Sequence, residues 1–240
     1  MLAKLQRLLR RVPLDDPGRH LEACAYKHDW SFKRVHDGSG YVLEGRLEGQ
    51  PVRLEWGPPQ RNYIEGKELR LRCELGLPES LHMLVMTRNL ADRLEDDAYA
   101  RLTDGKQTVV KLDLPEESRW LTLYNSTDLD SVPMLGSRLI GVASVEGMAR
   151  RWIEGDLGLR LLRACTTWLE ADRPLVVMTL RGRVYLRTQV RGSEDGLGGP
   201  LLDSVLALAE AACQRALHVA GMTVPVRAPQ DGAAQRASSR

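Results

Sequence analysis

Phenylalanine is almost missing: the 240 residues contain one, against five tryptophans and six tyrosines. Aromatics make up 5% of the chain, so aliphatic side chains must fill the core and each packed indole N–H needs a partner. Cysteine is scarce too. Cys24, Cys73, Cys165 and Cys213 stand far apart with no C-x-x-C. They read as reduced core residues of a cytosolic protein. No apolar run approaches the roughly 20 residues that span a bilayer, and no secretory leader is recognisable, so the expectation is soluble and cytoplasmic. An excess of one charge is also lacking. With 34 basic and 32 acidic residues, no strong field draws the chain to nucleic acid or membrane. Only six of the bases are lysine, the arginine bias of a GC-rich bacterial genome.

Catalytic motifs are missing as well. There is no G-x-S-x-G elbow, the five histidines are scattered, and no motif implies a cofactor. These gaps make an enzyme the less favoured expectation.

What is present reads as a covered sheet. Pro174 opens the apolar run PLVVMTL, Arg181-Gly182 supplies a turn, and RVYLRTQV returns with Val184, Leu186 and Thr188 alternating against Tyr185, Arg187 and Gln189. Gly199-Pro200 then starts a helix whose apolar positions (Leu202, Val205, Leu206, Ala209, Cys213, Ala216, Leu217) keep helical spacing to Gly221. Earlier, Pro17 to about Lys27 predicts a helix, followed by a meander of strands at Trp30–His36, Tyr41–Leu47 and Pro51–Trp56. Lys67–Leu75 alternates most strictly, with Leu69, Leu71, Cys73 and Leu75 set against Glu68, Arg70, Arg72 and Glu74. Leu81–Thr87 predicts a buried strand and Asn89–Tyr99 a helix. Gln107–Leu114, Trp120–Tyr124 and Arg138–Ala143 predict further strands. A helical stretch over Val145–Glu170 is interrupted near Gly155 and Gly158.

The fold class is therefore α+β: one antiparallel sheet, or two sheet lobes, covered by the C-terminal helices. The expected organisation is an amphipathic helix at 1–12, an α+β lobe at 13–124, a helix-hairpin-helix lobe at 138–221 and a disordered tail at 222–240.

Three groups of residues are candidates for function. Leu2, Leu5, Leu8 and Leu9 lie opposite Lys4, Arg7, Arg10 and Arg11 on a helix of three turns, too short to stand alone in water. It is expected to pack on its own domain, or to meet a protein partner or weakly contact an anionic membrane surface through those leucines with Arg10 and Arg11. His20, Cys24 and His28 fall at i, i+4 and i+8, metal-ligand types on one helix face. They span roughly 12 Å along the axis at 1.5 Å per residue, so one ion would have to draw the outer two together.

The third group could hold a phosphate-type ligand: Asp128 and Asp130 with Gly198 and Gly199. Asp128-Leu129-Asp130-Ser131-Val132 matches D-x-D-x-[TV] and so resembles the motif of the haloacid dehalogenase-like phosphatases; the resemblance implies that Asp128 attacks phosphorus and Asp130 handles the leaving-group proton. The apolar run WLTLY ends too early to present it, and a polar turn accounts for the same residues. Gly198 and Gly199 precede a helix N-terminus, where anions are welcome. Arg70, Arg72 and the Arg150-Arg151-Trp152 run could touch nucleic acid, but neighbouring acids at Glu68, Glu74, Glu146 and Glu154 make salt-bridged faces the simpler expectation.

Two function classes follow. The first is a non-catalytic bacterial protein-interaction module, adaptor or chaperone-like. The second is an enzyme or small-ligand binder using a pocket between lobes.

Overall fold

The hairpin late in the chain holds the two halves of the sheet together. In the computed structural model, which describes residues 17–36, 38–103, 114–127, 129, 133–190 and 197–221, β8 (Leu175–Leu180) and β9 (Arg183–Val190) join across Arg181 and Gly182. Both turn residues have positive φ, 50° and 78°, the mirror-image turn whose twist suits antiparallel strands. Glu48 and Gly49 repeat this geometry between β2 (Tyr41–Leu47) and β3 (Gln50–Gly57).

With β1 (Ser31–Arg34), β4 (Lys67–Glu74), β5 (Met83–Thr87), β6 (Ser126–Thr127) and β7 (Leu139–Ala143), these strands form one antiparallel sheet in the order β1-β2-β3-β4-β9-β8-β5-β7-β6. β8 and β9 thus insert between β4 and β5, and β4 pairs β9 from Lys67↔Val190 to Glu74↔Arg183. The strands of residues 13–124 and of 138–221 share a single sheet.

Seven helices are described: α1 (Pro17–His28), α2 (Arg88–Thr103), α3 (Glu116–Leu123), α4 (Pro133–Arg138), α5 (Met148–Ile153), α6 (Asp156–Thr167) and α7 (Gly199–Val219). The larger core lies between the first face of the sheet and α1, α5, α6 and α7. Leu43, Leu54, Leu69, Leu71, Cys73, Val184 and Leu186 point into it from alternating positions. Trp152 of α5 is fully buried there, and its indole N–H donates to the Ala212 carbonyl at 2.9 Å. Trp30 lies flat on Gly45, where a Cβ would come within 2.0 Å of the ring, and donates to the Arg46 carbonyl at 3.0 Å.

The second face is divided. Over β5, β7 and β8 it is covered by α2 and α3, which bury Leu84, Met86, Val142, Val176 and Met178 with Leu90, Leu94 and Trp120. All five residues of β5 are buried, since both of its faces are packed. Over β2, β3, β4 and β9 the same face carries charged side chains instead.

Some expectations change. Trp120–Tyr124 is not a strand: α3 ends at Leu123 and buries Glu117, Ser118, Trp120 and Leu121 at helical spacing. Pro115 sits at its N-cap, and Glu116 and Glu117 occupy the first turn, where negative charge is favoured. β1 is shorter than Trp30–His36 because Trp30 turns into the core. Trp152 has no exposed surface with which to stack on a base. The helical stretch after Ser144 does break at Gly155, where φ is 79°. Gln107–Asp113, from the predicted strand Gln107–Leu114, and the tail 222–240 lie outside the described residues.

Candidate functional site

An apolar groove of about 310 Å³ opens where α4, α5 and α6 meet, on the helix-covered side. Leu129, Leu135, Ile153 and Leu162 line it, Gly155 and Gly158 pass along it, and Arg150 and Glu154 stand at its rim. The local sequence explains the opening. Gly155 allows the sharp break between α5 and α6, and a Cβ on Gly158 would lie 2.7 Å from the Ile153 carbonyl oxygen. The first turn of α6 therefore rests directly on the end of α5.

On α6, Leu157, Leu161 and Ala164 form the buried stripe. Leu159 lies off that stripe and is 65% exposed, and Met134 of α4 is 49% exposed. Both leave apolar surface in water beside an apolar hollow. The six-residue α4 is tied at its C-terminal end: Arg88 of α2 donates to the Gly136 carbonyl at 2.6 Å, and α4's own Arg138 donates to the Leu169 carbonyl at 2.5 Å. The rim pair Arg150–Glu154, 4.0 Å apart and exposed, contributes little stability but presents both signs of charge.

The part of the second face that no described helix covers holds a ladder of alternating charge. Lys33 pairs with Glu44, Glu44 with Arg53, Arg53 with Glu55, Glu55 with Arg70, Arg70 with Glu68, and Glu68 with Arg187. Glu68 is fully buried, and its carboxylate also accepts from the Gln60 backbone N–H at 2.6 Å. Burial opposes ionisation of Glu55, yet hydrogen bonds from Arg53 and Arg70 hold its carboxyl below the usual range. Beside the ladder, buried Glu117 accepts from Arg61 at 2.7 Å and from the Tyr63 hydroxyl, which clamps the 57–66 loop onto α3. Burial again opposes ionisation, and the Arg61 hydrogen bond and charge outweigh it, so the Glu117 carboxyl also lies low.

Leu2, Leu5, Leu8, Leu9, Arg10 and Arg11, with Asp128 and Asp130, fall outside the described residues. Leu129, between the two aspartates, is buried and lines the groove. Gly198 is the N-cap of α7 and Gly199 its first residue, with no side-chain cap. Cys24 faces the core, where burial and then Asp203 push its thiol up to about 11. His28 packs against Trp30 at 5.2 Å, and burial lowers its imidazole below the ordinary value. No group of three His, Cys, Asp or Glu among the described residues could hold a metal ion, so His20, Cys24 and His28 do not assemble as ligands. Leu135, Ile153, Leu159 and Leu162 were not singled out from sequence. The available signal was Leu159, an apolar residue outside the helical stripe set by Leu157 and Leu161.

No protein-family profile matches the chain, and no curated protein matches it. Among solved structures, the mycobacterial trehalose monomycolate transport factor A, TtfA, is similar over 88% of this chain and 98% of that one. The identity is 10% and the TM-score 0.44, a likeness that assigns no activity. No described helix is long and apolar enough to cross a membrane.

Proposed function

We propose that the chain is a non-catalytic interaction module, adaptor or chaperone-like, whose groove between α4, α5 and α6 receives the apolar face of a helix from a partner protein. The observation that carries this reading is the continuous apolar surface of the hollow, lined by Leu129, Leu135, Ile153 and Leu162 and extended at its lip by Leu159, 65% in water. A helix is the occupant favoured by two features. Gly155, where an added Cβ would meet nothing within 4 Å, leaves room for close approach of another backbone, and the rim offers Arg150 and Glu154, opposite charges that suit an amphipathic helix better than an anionic lipid surface. The leucines at 2, 5, 8 and 9, with Arg10 and Arg11, are proposed as a second contact to the same partner.

Replacing Leu159 with a photo-crosslinking amino acid tests the reading in cells, with Tyr26, 91% exposed on α1, as control position. The expected result is one discrete protein adduct from position 159 and not from position 26. The partner's attachment point should map to a helical segment with apolar residues three or four apart. An adduct to lipid, to a second copy of this chain or to its own residues 1–16, or no discrete adduct, would refute it.

A further inference from the structure

The sheet face away from the groove contains a pocket of about 130 Å³ at the seam where β4 meets β9. Arg53, Arg70, Arg72 and Arg187 line it with Tyr185, and Glu55 is the carboxylate among the lining residues. The strand register sets two pairs of like charge directly opposite one another, Arg53↔Arg72 and Arg70↔Arg187. Such pairs are unfavourable unless an anion is shared between them. For Arg70 and Arg187 the structure supplies one: buried Glu68 accepts from both, at 3.5 and 2.6 Å.

Among the described residues no carboxylate is shared by Arg53 and Arg72. Arg53 is directed to Glu44 and Glu55. Arg72 has an ion pair to Glu74 at 3.7 Å, a carboxylate already held by Arg183 at 2.5 Å, and its side chain is 47% exposed. Among the described residues this face carries seven cations (Lys33, Arg46, Arg53, Arg70, Arg72, Arg183 and Arg187), Arg46 at its edge on the Gly49 carbonyl, against four carboxylates (Glu44, Glu55, Glu68 and Glu74). Alternation of sign thus lacks an anion where Arg72 faces Arg53.

We propose that this pocket binds a phosphate group, with Arg72 as its main ligand, assisted by Arg53, Arg187 and the Tyr185 hydroxyl. A tetrahedral dianion meets the surplus of positive charge, and the guanidinium fork of Arg72 can bind two of its oxygens at once. The site is independent of the groove.

Titration calorimetry of the full chain with inorganic phosphate at constant ionic strength tests it, with acetate as a planar, singly charged comparison. Saturable phosphate binding is expected, weakened about tenfold or more in Arg72→Ala, as loss of a charged hydrogen bond implies. Arg72→Lys should fall between the two. Arg46→Ala removes an exposed arginine that bonds the Gly49 carbonyl and is not among the lining residues, and should leave binding unchanged. No saturable binding of phosphate, equal binding of acetate, or an equal loss in Arg46→Ala would overturn the proposal.

Discussion

The second face of the sheet is treated in two ways, and β5 and β4 show how. β5, MLVMT, is buried at every position because helices pack on both sides of it. β4, KELRLRCE, hides Leu69, Leu71 and Cys73 on one side and carries Glu68, Arg70 and Arg72 on the other, where no hydrophobic layer among the described residues replaces the helices. The charged side is nevertheless closely paired, since Glu68 at its centre has no exposed surface and is held by Arg70, Arg187 and the Gln60 N–H. One region is held by packing and the other by paired charge around a buried carboxylate. Their responses to mutation and pH should therefore differ.

The largest effects test whether each region is held as described. Trp152→Ala removes a fully buried indole and its bond to Ala212, and should cost about 3–5 kcal/mol in denaturant unfolding. Glu68→Ala leaves the nearly buried Arg187 without its partner and should cost a similar amount, about 3–5 kcal/mol. A loss below about 1 kcal/mol for Glu68→Ala would mean that the charged face is a solvated surface. Gly45→Ala drives a methyl into the Trp30 ring and should cost about 1–3 kcal/mol.

Acid sharpens the contrast. Folding lowers the Glu117 carboxyl below its ordinary 4.5, so its stabilisation is complete above that pH and is lost as pH falls through the folded value. Glu117→Gln should be less stable than the parent at pH 7, with the gap narrowing below about pH 4.5. A gap constant from pH 7 to pH 3 would show that the Arg61–Glu117 pair does not titrate with folding. The smallest effect belongs to Leu159→Glu, expected within about 0.5 kcal/mol of the parent because the residue is mostly in water.

Much of the fold was legible in sequence, for a physical reason. Strict alternation in β4 and β9, the turn at Arg181-Gly182 and the helical spacing after Gly199 each follow from a local rule that tertiary contacts reinforce. Trp120–Tyr124 misled because a five-residue apolar run fits a strand and a helix equally well, and the surroundings of Pro115, Glu116 and Glu117 decide between them. The candidate sites were less legible. The groove brings together Leu129, Leu135, Ile153 and Leu162 from separate segments, and no spacing announces that convergence. The Arg53↔Arg72 opposition depends on register between strands, which single-chain periodicity does not encode.

The most direct test is hydrogen–deuterium exchange of the full chain, alone and with the partner segment captured from position 159. Slowed exchange confined to α4, α5 and the first turns of α6, with β3 and β4 unchanged, is the result predicted. Protection centred on β3 and β4, or on α2 and α3, would place the partner on the opposite face of the sheet and contradict the assignment of the groove.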